Sequence, residues 1–147
     1  MSPGEEKLID TLTAFFCCKG SIHEHDNPAI HRARIQFEWQ SGQWIMLTDK
    51  INNRLFGWIS FFLVNEETLK LFDSGEYENY IQKQIPLDLI NGEHIYIPTI
   101  VVTPWAPNMT YRRLNKMTME LNPEAKSFNA HIRKRNGKIR YVQRKLG

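Results

Sequence analysis

Between positions 4 and 16 the apolar residues Leu8, Ile9, Leu12, Phe15 and Phe16 return at helical spacing, which predicts an amphipathic helix with Gly20 as its stop. A short polar stretch follows, Ser21-Ile22-His23-Glu24-His25-Asp26. Asn27-Pro28 then reads as the start of a second helix, because proline suits a first helical turn. Residues 43–48 and 55–64 are apolar runs separated by the polar turn Asp49-Lys50-Ile51-Asn52-Asn53, and they predict a strand hairpin. Short helices are expected over 66–72 and 77–84, with Gly75 between them and a turn at Asn91-Gly92. The β-branched run 95–103 predicts a strand, and Pro98 inside it marks an edge or a bulge. Leu114, Met117 and Leu121 share one face of an expected helix over 111–121. A last strand pair, 128–133 and 138–143, turns around Arg135-Asn136-Gly137. This order of elements points to an α/β domain with a mixed sheet rather than a doubly wound parallel one.

The chain has 147 residues, which suits one domain spanning 1–147 with a real core. Its 41% hydrophobic and 24% charged content is that of a folded globular protein. No apolar run approaches the roughly 18 residues that cross a bilayer, so no stable membrane insertion is expected. Glu5, Glu6 and Lys7 stand where a secretory signal would begin its apolar stretch, so none is expected. Cys17 and Cys18, the two cysteines, are adjacent and badly placed to bridge each other. A cytoplasmic location follows as the simplest expectation.

Charge is distributed unevenly. Residues 1–109 carry 8 basic and 14 acidic side chains, whereas residues 110–147 carry 11 basic and 2 acidic ones. Such a gradient points to an anionic partner: an acidic protein, an acidic membrane surface or nucleic acid.

Nucleotide-binding loops of the Walker or Gly-x-Gly-x-x-Gly type are absent, as is the Gly-x-Ser-x-Gly elbow. His23, His25 and Asp26 are metal-ligand types, but without a second cluster in the sequence they predict no metal site. His31, His94 and His131 stand alone along the chain. Cys17 and Cys18 close an amphipathic helix, where packing is the commoner use of cysteine. The His23 loop is therefore the sharpest candidate for a site.

An ordered set of segments resembles the RTX toxin-activating lysine acyltransferases of the hemolysin C type. Phe15-Phe16 precede Gly20-Ser21-Ile22-His23, as an aromatic first helix precedes a Ser-x-x-His loop in that family. The strands Gln43-Trp44-Ile45-Met46-Leu47-Thr48 and Leu55-Phe56-Gly57-Trp58-Ile59-Ser60 follow, then Asn65-Glu66-Glu67-Thr68-Leu69-Lys70-Leu71. Val101-Val102-Thr103-Pro104-Trp105, Tyr111-Arg112-Arg113-Leu114, Ala130-His131-Ile132-Arg133 and Gly137-Lys138-Ile139 complete the set. The resemblance implies a Gcn5-related N-acetyltransferase-like fold, a mixed sheet flanked by helices whose two central strands splay apart around the acyl donor.

The resemblance also implies a reaction. A fatty acyl group passes from acyl carrier protein, as its phosphopantetheine thioester, to lysine side chains of an RTX protoxin. His23 is then the base, and no cofactor is held permanently. Members of the family often pair as homodimers. They usually place an aspartate about four residues before the strand's closing proline; here Ile100 stands there, and its neighbour Thr99 becomes the candidate second catalytic group. Arg112, Arg113, Lys116 and Arg133 are candidates to meet the carrier protein, and Trp58, Phe61, Ile100 and Val102 to line an acyl slot. The segment 104–112 lacks the Gly-rich loop with which coenzyme A users cradle pyrophosphate. The competing reading is a small basic module that docks nucleic acid through residues 112–145 without catalysis. Only Tyr111, Phe128 and Tyr141 intersperse those charges, which is thin for base stacking, so no nucleic-acid partner is expected.

Overall fold

The computed structural model describes residues 1–19, 21–83, 87–133, 136 and 138–146, the side chains of Gln82 and Arg133 excepted. In chain order its elements are α1 (Pro3–Phe16), α2 (Pro28–Ser41), β1 (Trp44–Thr48), β2 (Leu55–Ser60), β3 (Phe62–Val64), α3 (Glu66–Asp73), α4 (Tyr77–Lys83), β4 (His94–Ile97), β5 (Ile100–Val102), α5 (Thr110–Leu121), β6 (Ser127–Arg133) and β7 (Ile139–Lys145). They divide into two compact units, Met1–Ser60 with Thr99–Thr118, and Phe61–Pro98 with Met119–Gly147.

The first unit carries the antiparallel sheet β1-β2-β5. Helix α1 opens on a capping box, in which Ser2 Oγ accepts from the Glu5 N–H at 3.2 Å and the Glu5 carboxylate accepts from the Ser2 N–H at 3.4 Å. Helix α2 is started by Asn27, whose side chain accepts from the Ala29 N–H at 3.0 Å. Gly42 ends it in the left-handed region at φ 73°. Trp39 donates to Glu5 at 3.0 Å, tying α2 to α1, and this bond holds the Glu5 carboxyl below its ordinary range. Ile9, Leu12, Ile35, Leu55, Trp58 and Val101 meet in the core between these helices and the sheet. Each such fully buried side chain contributes roughly 1.5–3 kcal/mol.

Polar groups are buried in this unit too. Glu38 of α2 has no exposed surface and accepts from Ser60 Oγ at 2.7 Å. The Arg34 Nε stands 3.8 Å from its other oxygen.

The second unit carries the sheet β3-β4-β6-β7, parallel between β4 and β6 and antiparallel elsewhere. Phe62, Val64, Leu69, Phe72, Tyr77 and Tyr96 form its core cluster. Gly92 approaches the β3 backbone so closely that a Cβ would overlap the Val64 carbonyl, while its N–H donates to Leu63 at 3.0 Å. That close approach explains a glycine in the expected Asn91-Gly92 turn.

Two expected strands each prove to be a pair. The run 55–64 divides after Ser60: Ser60 bonds to the Thr99 carbonyl in one sheet, whereas Phe62 pairs with Tyr96 in the other. The run 95–103 divides at Pro98, which has no N–H to continue a ladder. The last helix turns its Thr110, Leu114 and Thr118 inward and leaves Leu121 59% exposed, so the expected apolar face is shifted by a residue. Gly20, Gln84, Arg135 and Gly137, expected at a helix stop, a helix end and the last turn, lie outside the described residues. None of the helices described is long and apolar enough to cross a membrane.

Candidate active site

Position 23 is fixed by its own loop before any longer-range contact acts. Ser21 Oγ donates to the Phe16 carbonyl at 2.8 Å, capping an acceptor that the end of α1 leaves open, and accepts from the His23 N–H at 3.1 Å. One hydroxyl thus joins the helix end to the His23 backbone, which gives the Ser-Ile-His sequence a physical reason. The Asp26 N–H closes the next turn on the His23 carbonyl at 3.1 Å, and Asn27 then starts α2.

The His23 ring lies flat on Phe16, with centroids 4.1 Å apart and planes at 16°. The Arg34 guanidinium sits 5.0 Å from the centroid of the same phenyl ring. Asp26 Oδ2 accepts from His23 Nδ1 at 3.0 Å and from His31 Nε2 at 2.9 Å. An ionised carboxylate only accepts, so both of those ring nitrogens carry the proton. In His23 this leaves Nε2 as the basic nitrogen of the neutral ring, the tautomer a general base requires. His31 is 7% exposed, and the His23 and Asp26 side chains are 18% and 20% exposed, so the cluster is sheltered yet reachable.

A groove of about 460 Å³ runs beside the cluster, lined among others by Asp10, Cys17, Glu24, Asp26, Pro28 and Arg32. Burial, and then the negative charge of Asp26, push the Cys17 thiol above its ordinary value. That opposes the thiolate which a Cys–His nucleophile would need.

The other expected site residues lie on or beside β2, β5, α5 and β6. Thr99 is 2% exposed, and its hydroxyl has no hydrogen-bond partner among the described residues, so it makes no hydrogen bond to His23. Trp58 is fully buried in the first unit's core, whereas Ile100 of β5 is half-buried and Val102 is 38% exposed. Phe61 is buried and belongs to the second unit. Arg112, Arg113 and Lys116 are exposed on α5, and the Arg133 side chain lies outside the description.

His25 points away, with its side chain 93% exposed. His94 bonds to Ser127 at 2.6 Å, and His131 bridges the Tyr96 hydroxyl and the Asp73 carbonyl, which are structural ties within the second unit.

His31 is the residue that sequence reasoning missed. The helix start at Asn27-Pro28 was a usable signal, because it places residue 31 one turn in, within reach of the residue before the cap.

No family model matches the sequence, and no curated protein matches it. Among solved structures the chain is similar to GphF, a GNAT-like decarboxylase in complex with isobutyryl-CoA, at 14% sequence identity and a TM-score of 0.55. The match covers 89% of this chain, and this chain spans 63% of that one. The fold of the chain is therefore GNAT-like, as the resemblance implied.

Proposed function

We propose that this protein is a lysine acyltransferase of the RTX toxin-activating type, moving a fatty acyl group from acyl carrier protein to protoxin lysines. The observation that carries the reading is the His23–Asp26 bond of 3.0 Å on a ring stacked against Phe16. A GNAT-like fold that holds an acyl thioester in GphF supports it from outside the site.

Only about 0.04% of an ordinary lysine is neutral at pH 7, so attack on a thioester needs a base. The lysine loses its ammonium proton to solvent and attacks as the neutral amine, and His23 Nε2 takes a second proton from the attacking nitrogen. The amine nitrogen bonds to the thioester carbonyl carbon, and the carbon–sulfur bond breaks. His23 returns its proton to the departing thiolate. Asp26 keeps Nδ1 protonated and stabilises the imidazolium while it lasts. His31 shares the same carboxylate oxygen and so holds Asp26 in place. Phe16 holds the ring plane.

The exposed cations Arg112, Arg113 and Lys116 of α5 suit an acidic carrier protein or its phosphate. Among the aromatics of the basic segment, Tyr141 donates to Asn129 at 2.8 Å and packs beside His131, so it offers little to a nucleic-acid base. Steady-state transfer of labelled acyl groups from acyl-acyl carrier protein to a co-expressed Gly/Asp-repeat toxin tests the proposal. Transfer from acetyl-coenzyme A but not from the carrier protein would contradict the donor.

A further inference from the structure

His23, Asp26 and His31 place two imidazole nitrogens and one carboxylate oxygen within 4.8 Å of one another. We infer that these three residues form a binding site for a zinc-type divalent cation, and that the cation switches the His23 base off.

The donor set is chemically suited. Two imidazoles and a carboxylate are borderline and hard ligands of the kind zinc takes, and three protein ligands leave a fourth position for water. The spacing is close to what the metal needs. At ligand distances of about 2.0–2.2 Å, neighbouring donors in a tetrahedral site stand roughly 3.3–3.6 Å apart. Asp26 Oδ2 already lies 3.0 Å from His23 Nδ1 and 2.9 Å from His31 Nε2. Binding one ion requires the two imidazole nitrogens, which lie no more than 4.8 Å apart, to stand at roughly the 3.3–3.6 Å of tetrahedral donors.

The surroundings hold those donors in place. Phe16 stacks on His23 and meets His31 edge-on at 4.8 Å, fixing both rings against one side chain. His31 stands on α2, and Asp26 immediately precedes its cap. The groove beside the cluster is lined by Asp26 and Glu24, and by Asp10 paired with Arg32 at 2.6 Å, and gives a cation a path to the Asp26 carboxylate.

Proton and metal compete for the same nitrogen. In the working tautomer Nδ1 of His23 holds the ring proton and Nε2 holds the lone pair. A cation on Nδ1 takes that lone pair, and the single proton of the neutral ring moves to Nε2 through solvent. Nε2 then has no lone pair with which to accept a proton from lysine. The site therefore binds either its metal or the lysine's proton. Binding itself does not depend on the proposed acyl transfer; the inhibition does.

The test titrates the purified full chain with Co²⁺, read by visible absorption, and with Zn²⁺, read by calorimetry. One equivalent should bind, and His31→Gln should weaken it by more than about tenfold with an unchanged far-ultraviolet dichroism spectrum. His25→Gln, altering an exposed side chain, should leave affinity unchanged. Should His31→Gln fail to fold, Asp26→Asn takes its place with the same expected loss. Absence of binding in the wild type, or equal loss in His25→Gln, overturns the site. In the acylation assay Zn²⁺ should abolish transfer, and a chelator should restore it. Metal binding that leaves transfer untouched overturns the switch. Metal binding in a protein that transfers no acyl group under any condition retains the site and refutes the acyltransferase reading.

Discussion

Nδ1 of His23 stands 3.0 Å from Oδ2 of Asp26, three residues further along the chain. Because the carboxylate can only accept, this bond selects the ring tautomer, and the opposite nitrogen becomes the base. Asp26→Asn removes that selection, since an amide can donate to Nδ1 and push the proton to Nε2. The acylation kcat should fall by about 10²-fold or more, with the KM for the acyl donor changed far less. Equal rates in the variant would show that Asp26 does not set the tautomer.

Ser60→Ala probes the buried carboxylate of Glu38. The Ser60 hydroxyl donates to Glu38 at 2.7 Å where neither residue has exposed surface. Losing the donor of a buried hydrogen bond leaves its acceptor short of a partner and costs about 1–3 kcal/mol. Urea unfolding should show a lower midpoint with an unchanged slope. An unchanged midpoint would mean that another donor replaces the hydroxyl.

Gly92→Ala should be more damaging than most alanine substitutions. The added carbon would meet the Val64 backbone, which cannot swing aside as a flexible side chain can. Destabilisation of at least about 2 kcal/mol is expected, by the same unfolding measurement. Gly75→Ala offers a contrast, because it meets open space and carries only the strain of φ 86°.

The Glu93–Lys126 pair sets a small acid dependence of stability. Lys126, 2.9 Å away, holds the Glu93 carboxyl below its ordinary 4.5, chiefly by hydrogen bonding and then by charge. A depressed carboxylate stabilises the fold above its unfolded value and loses that contribution as pH falls through its folded value. Melting temperatures of the wild type and Lys126→Met should therefore differ near neutrality and converge in acid. Both groups are more than half exposed, so added salt should shrink the difference.

Much of the fold was legible because local chemistry and tertiary packing agree. The periodic Leu8, Ile9 and Leu12 gave α1, and Asn27-Pro28 gave the start of α2. The end of α2 was harder to read, because its inward face carries His31 and Glu38 beside Ile35, so hydrophobic periodicity is diluted. The division after Ser60 carries no glycine or proline, and only the pairing partners of Ser60 and Phe62 reveal it. At the site, His23 was legible through its loop. For His31 the helix start gave only its place one turn into α2; its bond to Asp26 depends on how that turn faces back, which the local sequence does not fix.

The most direct test of the account is mass spectrometry of a Gly/Asp-repeat protoxin co-expressed with the wild-type chain or with His23→Ala. The wild type should leave fatty acyl groups on specific toxin lysines, and the variant should leave almost none while folding normally. Full lysine acylation with His23→Ala would contradict the assigned base.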